Sequence, residues 1–266
     1  MTTLTKIAIH GAAGRMGQRL LALATAVEEL TIVAALEAPG HARLGQDAGT
    51  IAGVGEIGVP IAAEFSADVD VVIDFSLPAG AEAITELCLV RNLPLVTATT
   101  GLSESQQRKV VAAAETIPVL QAPNMSLAVN LLMKLSAVAA EALKDHPSGA
   151  DVEIIEQHHR FKEDAPSGTA LEFGRIIADI MGHARHQHGR EGKTGMRQHG
   201  EIGYHAVRTG DHPGEHTIIF GMLGETIELV VRATSRDCYA HGALTAAKFL
   251  AGKPPGMYGM ANVLGF

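Results

Sequence analysis

The stretch Lys6-Ile7-Ala8-Ile9-His10-Gly11-Ala12-Ala13-Gly14-Arg15-Met16-Gly17 decides the fold. A short β-rich run, Lys6 to Ile9, leads into glycines at 11, 14 and 17, and Met16, Leu20, Leu23, Ala24 and Val27 then recur at helical spacing. This is the pattern of a strand, a tight turn and a helix. Glycine at such a turn permits unusual dihedrals and lets the backbone approach a pyrophosphate, while the helix N-terminus adds amide donors and a dipole that favours an anion. Ala12 stands where the common G-x-G-x-x-G fingerprint has its first glycine, so the glycines alone are a weak match. Glu37 strengthens it. It lies at the end of a second strand, Thr31 to Leu36, and 20 positions after Gly17, where an acid accepts hydrogen bonds from an adenosine ribose. The competing reading is a tight turn with a solvated Glu.

Outward from this unit the rhythm repeats. Val69 to Phe75, Leu95 to Thr97 and Val119 to Gln121 read as strands, with Ala79 to Leu89 and Ser103 to Ala114 as helices between them. The strands are apolar nearly throughout, as in a parallel sheet covered on both faces, and such a sheet binds ligands at the carboxyl ends of its strands. Thr99, Thr100 and Gly101 follow one of those ends. They are candidates for a nicotinamide pocket and equally for a plain helix start, with Ser103 as cap and Gln106 completing a capping box.

Beyond Gln121 the character changes. Ser126 to Leu143 predicts a long helix, Asp151 to Gln157 a strand and Ala170 to Met181 a helix. Gly182 to Gly200, rich in Gly, His and charge, predicts a long mobile loop. Glu201 to Arg208, Glu215 to Met222 and Thr226 to Ala233 alternate as an antiparallel group, with Ile227, Leu229 and Val231 on one face. The fold class is α/β: a Rossmann dinucleotide-binding domain plus a second domain of α+β type. A final helix, Tyr239 to Leu250, fits either domain.

Composition bounds the chemistry. A chain of 266 residues, 47% hydrophobic, suffices for one large core or two modest ones. A net charge of −8, with acids spread along the chain, argues against nucleic acid as a partner and for small-molecule chemistry. Cys88 and Cys238 are too few for a disulfide scaffold and read as buried thiols in a reducing compartment. Met1 to Ile9 has no signal-peptide apolar region, and no stretch approaches the roughly 18 apolar residues that span a bilayer. The expected location is the cytoplasm, with no membrane partner.

The most unusual string is EQHHRFKEDAPSGTA, Glu156 to Ala170. His158, His159, Arg160 and Lys162 crowd basic or titratable donors into one short segment of an acidic protein. Such a cluster suits an anionic substrate, and a His or Lys within it can deliver a proton once hydride transfer has created negative charge. Ser167, Gly168 and Thr169 open a helix and offer a second anion site, so the pair suggests a substrate with two carboxylates. A solvated basic loop with an ordinary Ser cap is the bland rival. A hydrolase built on Ser167, His158 and Asp164 is disfavoured because Pro-Ser-Gly-Thr lacks the strained G-x-S-x-G turn. A metal at His183, His186 and His188 is disfavoured because no Cys or nearby carboxylate completes a ligand pattern. No metal is expected.

Together these segments resemble the dihydrodipicolinate reductase family, the 4-hydroxy-tetrahydrodipicolinate reductases of bacterial and plant lysine and diaminopimelate biosynthesis. The likeness spans essentially the whole chain. EQHHRFKEDAPSGTA is similar to the family's E-x-H-H-x-x-K-x-D-A-P-S-G-T-A signature, and GAAGRMG, ATTG and APNMS match three further family segments in order. The resemblance implies reduction of 4-hydroxy-tetrahydrodipicolinate to tetrahydrodipicolinate by a homotetramer using NADH and/or NADPH. It implies phosphate contacts from Gly11, Ala12, Ala13, Gly14, Arg15 and Met16, and a ribose contact from Glu37. Ala98, Thr99, Thr100, Ala122, Pro123, Asn124 and Met125 complete the implied cofactor site. His158 and Lys162 would handle the proton, and His159, Gly168 and Thr169 would touch substrate. Residues 1–126, completed by 238–266, would bind the dinucleotide; 127–237 would form a mixed-sheet domain for substrate and assembly. Two rivals remain, a Rossmann reductase of another small acid and a non-catalytic dinucleotide sensor. A sensor has no need of His158, Lys162 and Thr169.

Two departures from the family pattern matter. Ala98 replaces the Gly usual before the two threonines, and Ala38 follows Glu37 where some members have Arg. The Glu37 carboxylate suits the two ribose hydroxyls of NADH but faces the 2′-phosphate of NADPH, and Ala38 supplies no compensating cation. Screening keeps an exposed repulsion modest, so NADH is expected to serve at least as well as NADPH. Measuring kcat/KM for both at one ionic strength checks this, and a preference for NADPH of about tenfold or more would show that Arg15 or Arg43 has overridden Glu37.

Overall fold

The computed structural model describes residues 4–266; Met1 to Thr3, the start of the segment read above for a leader, lie outside the described residues. The chain begins with β1 (Thr5–His10), α1 (Arg15–Ala24), β2 (Leu30–Leu36), α2 (Ala48–Ala52), β3 (Ile61–Ala62) and β4 (Val71–Asp74). It continues through α3 (Pro78–Arg91), β5 (Leu95–Thr97), α4 (Glu104–Ala113), β6 (Pro118–Gln121) and α5 (Leu127–Leu143). Next come β7 (Asp151–His158), α6 (Gly168–Met181), β8 (Arg185–His188), β9 (Glu201–Arg208), β10 (Gly214–Met222) and β11 (Glu225–Ala233). The chain closes with α7 (Asp237–Leu250), β12 (Gly256–Tyr258) and α8 (Met260–Leu264). Two units result. One runs to Leu127 and resumes over Asp237–Phe266; the other is Ala128–Arg236. Among the described residues no helix is long and apolar enough to cross a membrane.

The first unit is built on a seven-stranded sheet in the order β12-β6-β5-β4-β1-β2-β3, parallel at every pairing. Its strands are apolar on both faces because helices cover both. Ile9, Ile73 and Leu120 bury against α1 and α7, and Val72, Leu95 and Val119 against α3 and α4. Each such side chain contributes about 1.5–3 kcal/mol by leaving water. The small residues of α7 let it lie close: a Cβ on Gly242 would fall 1.7 Å from the Met125 carbonyl oxygen. The strand order reverses between β1 and β4, the position where open parallel sheets bind ligands. Register there sets His10 beside Asp74, Asp74 beside Thr97 and Thr97 beside Gln121, a polar row along the carboxyl edge.

The second unit carries a five-stranded sheet, β11-β10-β7-β9-β8. Val152, Ile154, Tyr204, Ile218 and Phe220 on one face pack with Val129 and Leu132 of α5 and Phe173 and Ile177 of α6. Strand alternation on β7 turns Val152, Ile154, Glu156 and His158 to that buried side.

Three expectations from sequence need correction. β9 is not part of an antiparallel group: it runs parallel to both β7 and β8, and only β10 pairs antiparallel with its neighbours. Alternation reports which face a residue occupies and is silent on direction. The Gly182 to Gly200 segment is not structureless, since it contains β8. His186 and His188 stack on Tyr204, with His186 Nδ1 2.8 Å from the phenol oxygen. Further along, Arg190 and Arg197 both clamp Glu153, at 2.8 and 3.1 Å. Finally, α2, β3, β12 and α8 are too short to show a period and were not expected.

Glu153 illustrates which effect wins in this sheet. Burial pushes its carboxyl up, but hydrogen bonds from Arg190, His205 and Arg197 more than offset that and hold it at about 2. Its folded pKa is thus below the ordinary 4.5, so its stabilisation is complete above that value and is lost as the pH falls toward 2. Glu153→Gln is expected to cost about 2 kcal/mol at pH 7 by leaving two guanidinium groups short of a partner. Urea unfolding of parent and variant at pH 7 and pH 3 checks this: the difference must shrink at the lower pH.

Candidate active site

In the first unit the glycine turn has the close contacts its sequence requires. Gly11 has φ +76°, and a Cβ there would lie 2.7 Å from the Phe75 carbonyl oxygen; a Cβ on Gly17 would lie 2.1 Å from that of Gly11. Gly14 precedes α1 with no side-chain cap, which leaves the first-turn amides for an anion. Glu37 accepts the Ala13 amide at 2.9 Å and that of Ala38 at 3.2 Å, so the acid picked out by spacing lies against this turn. The arrangement fits a dinucleotide: a bare helix N-terminus for phosphate and a carboxylate beside it. Ala12 is fully buried, Met16 packs on the core and Arg15 is exposed.

Thr99, Thr100 and Pro123 line a cavity of about 410 Å³, together with Gly101, Leu102, Gln107 and Gln121. Gln107 and Gln121 exchange two side-chain hydrogen bonds of 2.8 and 2.9 Å at its wall. Asn124 accepts the Ser126 amide at 2.9 Å. Ala122 and Met125 are buried in the core beneath, and Ala98 packs against it, so these three offer backbone rather than side chains to a ligand.

One group here was missed from sequence. Asp74, fully buried, accepts from His10 Nδ1, Thr97 Oγ1 and Thr99 Oγ1, each at 2.8 Å, and from the Ser76 amide at 3.2 Å. Burial pushes its carboxyl up, but these donors, His10 foremost, pull it below the ordinary range. A charged residue ending the apolar run Val71-Val72-Ile73 was the available signal.

In the second unit the basic string forms around Glu156. That side chain, 1% exposed, accepts His158 Nδ1 at 2.5 Å, Arg208 at 2.7 and 2.8 Å, and the Ser167 amide at 3.1 Å. Burial raises its carboxyl, and His158 and Arg208 outweigh burial and bring it to about 2. His216 lies edge-on to His158, ring centroids 5.3 Å apart, with Nε2 3.1 Å from Ser167 Oγ. Burial pushes its imidazole down to about 4. Glu156, Arg208 and His216 were not singled out in the sequence; Arg208 and His216 are distant along the chain and carry no local pattern.

Lys162 donates to Asp164 at 2.8 Å and remains partly accessible. Its ammonium holds the Asp164 carboxyl below the usual range. The His159 amide donates to the His212 carbonyl, and its ring lies beside Phe161 and 3.4 Å from Arg236. Ser167 caps α6 by accepting the Ala170 amide, and Gly168 and Thr169 form the first turn. A Cβ on Gly168 would meet nothing within 4 Å, so that turn is open. The Ser167, His158 and Asp164 triad is not assembled: Ser167 pairs with His216, His158 with Glu156 and Asp164 with Lys162. Of the three histidines weighed as ligands, His186 and His188 stack on Tyr204 while His183 lies edge-on to His199.

Known proteins match the chain over its whole length. The family description "Dihydrodipicolinate reductase, N-terminus" matches residues 5–125, and "Dihydrodipicolinate reductase, C-terminus" matches residues 128–264. A 4-hydroxy-tetrahydrodipicolinate reductase from Rhodopirellula baltica is 53% identical, covering 97% of this chain and 95% of the relative. One from Alkalilimnicola ehrlichii is 45% identical, covering 98% and 99%. The dipicolinate-bound dihydrodipicolinate reductase of Paenisporosarcina sp. TG-14 superposes with a TM-score of 0.77 at 27% identity, covering 98% of this chain and 99% of that one. With both family segments matched and relatives alike from end to end, the chain belongs to the dihydrodipicolinate reductase family, oxidoreductases that reduce 4-hydroxy-tetrahydrodipicolinate to tetrahydrodipicolinate in lysine biosynthesis.

Proposed function

We propose that in this chain His158 and Lys162 handle the proton of that reduction, with NADH or NADPH as the reductant. The observation that carries the reading is the single carboxylate of Glu156, shared between His158 Nδ1 and the amide of Ser167. Ionised down to about pH 2, Glu156 can only accept hydrogen bonds. His158 Nδ1 is therefore the donor in that pair, and Nε2 is the nitrogen left to take up or deliver a proton. Gly214 keeps Nε2 clear, since a Cβ there would lie 3.0 Å from it. His216, neutral above about pH 4, adds no positive charge at the back of the His158 ring.

A bound dihydronicotinamide supplies the hydride. The hydroxylated substrate first loses its 4-hydroxyl as water to give the unsaturated imine; hydride addition to that ring leaves an enamine that needs one proton, which comes from His158 Nε2 or Lys162 Nζ. Gly168 and Thr169, in the open first turn of α6, hold one substrate carboxylate, and His159 contacts the substrate beside it. The dipicolinate bound to the Paenisporosarcina relative supports a dicarboxylate ligand. On the cofactor side, Gly11 to Met16 surround the phosphates, Glu37 accepts the ribose hydroxyls, and Thr99, Thr100, Asn124 and the backbone of Ala98, Ala122, Pro123 and Met125 meet the nicotinamide. In this reading residues 1–126 with 238–266 form the dinucleotide-binding domain, and 127–237 the substrate-binding and assembly domain.

We place the enzyme in the cytoplasm as a homotetramer. Ile155, Val207 and Val230 support assembly: they share the outer face of the second sheet and are 37, 41 and 36% exposed. Light scattering at four chain masses is the expected result, and a monomer at micromolar concentration would refute it. The catalytic roles are tested by an assay coupled to dihydrodipicolinate synthase that follows loss of reduced-nicotinamide absorbance. His158→Gln and Lys162→Ala are each expected to keep cofactor affinity and to lose on the order of 10²–10⁴ in kcat. If both turn over within about threefold of the parent, the assignment is wrong.

A further inference from the structure

The Asp74 carboxylate has no role in the proton chemistry, yet it is fully buried at the strand-order reversal with four donors on it. Its Oδ1 takes His10 Nδ1 and the Ser76 amide; its Oδ2 takes the hydroxyls of Thr97 and Thr99. His10 is itself wedged against the first turn of α3, where a Cβ on Gly80 would lie 3.1 Å from its Cε1. The consequence falls on Thr99. A hydroxyl has one proton, and both partners within reach of Thr99 Oγ1, Asp74 Oδ2 at 2.8 Å and the Ser76 carbonyl at 3.2 Å, are acceptors. Whichever it chooses, the proton is committed inward. Thr99 lines the cavity at the end of β5, so what it has left to offer a ligand is an oxygen lone pair.

We propose that Asp74 is a positioning residue that fixes the polarity of the nicotinamide pocket: by holding the Thr99 proton, it makes Thr99 an acceptor for the carboxamide NH₂ of the cofactor. This rests on the reading of Thr99 as part of the cofactor site. The pocket then recognises the amide nitrogen of the nicotinamide and not merely the flat ring. An asparagine at position 74 must keep its oxygen for the Ser76 amide, which can only donate, and so turns its NH₂ toward the hydroxyls; Thr99 then accepts from it, and only the Ser76 carbonyl at 3.2 Å is left to hold the proton inward. Thr97, 1% exposed, shares the same carboxylate oxygen but stays beneath the surface.

The test compares reduced NADH with its analogue in which the carboxamide is replaced by a methyl ketone, which keeps the carbonyl and loses the NH₂. Dissociation constants are measured by fluorescence on the full-length protein. The parent is expected to hold NADH about tenfold more tightly than the ketone, equivalent to about 1.4 kcal/mol. Thr99→Val and Asp74→Asn should reduce that preference to within about twofold, while Thr99→Ser should retain it, a pattern that loss of general stability does not produce. Should Asp74→Asn fail to fold, Thr99→Val against Thr99→Ser decides alone. A preference that persists in Thr99→Val, or a parent that binds both dinucleotides equally, overturns the inference and leaves the cofactor site standing. A parent that binds neither dinucleotide overturns both.

Discussion

An ionised carboxylate removed from water must find its hydrogen bonds in the protein, and Glu156 finds four. Withdrawing such a group from solvent costs several kcal/mol, and each charge-assisted hydrogen bond contributes about 1.5–3 kcal/mol against that cost. The donors come from β7 itself, from Arg208 at the end of β9 and from the residue that caps α6. One oxygen pair therefore orients the imidazole of His158 and anchors the start of the helix whose first turn is open to an anion. The parallel run of β9 beside β7 is what brings Arg208 opposite His158 in register. Had β9 paired antiparallel, as expected from sequence, a guanidinium at the end of that strand would lie at the far edge of the sheet.

The first unit solves a similar problem with weaker partners. Asp74 collects an imidazole, an amide and two hydroxyls rather than a guanidinium, so its surroundings are held by several modest bonds instead of one bidentate pair. The row His10, Asp74, Thr97 and Gln121 exists because parallel strands of similar length end together. Polar side chains at those ends meet whether or not they are near in sequence. That is the physical reason the reversal point of such a sheet gathers chemistry.

This also explains what the sequence could and could not show. The glycine turn, Glu37 and the string from Glu156 to Ala170 were legible because they are local patterns or set by a fixed spacing, as Gly17 packing on Gly11 shows. The pairing of Glu156 with His158 was not read, because the strand was expected to end at Gln157. Arg208, His216, His10 and Asp74 act across strand pairings, and a pairing partner is not written in either strand. The Gly182 to Gly200 segment misled for the same reason. Its composition is that of a loop, and its order comes from groups outside it: pairing of β8 with β9, the ring of Tyr204, and the carboxylates of Glu153 and Glu201. Short elements such as β12, three residues long, depend wholly on a neighbour strand and have no period to detect.

The return of α7 and β12 to the first sheet bears on how the chain leaves the ribosome. Ala128–Arg236 is contiguous, so its sheet and both its helices are available as soon as that segment has emerged. The first unit is interrupted: β1 to β6 precede the second unit in the chain, yet the helix that covers Ile73 and Leu120 and the strand that edges β6 follow it. Until then one face of a six-stranded parallel sheet lacks half its cover. The sheet of the first unit is thus completed only after the whole of the second unit has been made, so its apolar face waits longest for its cover.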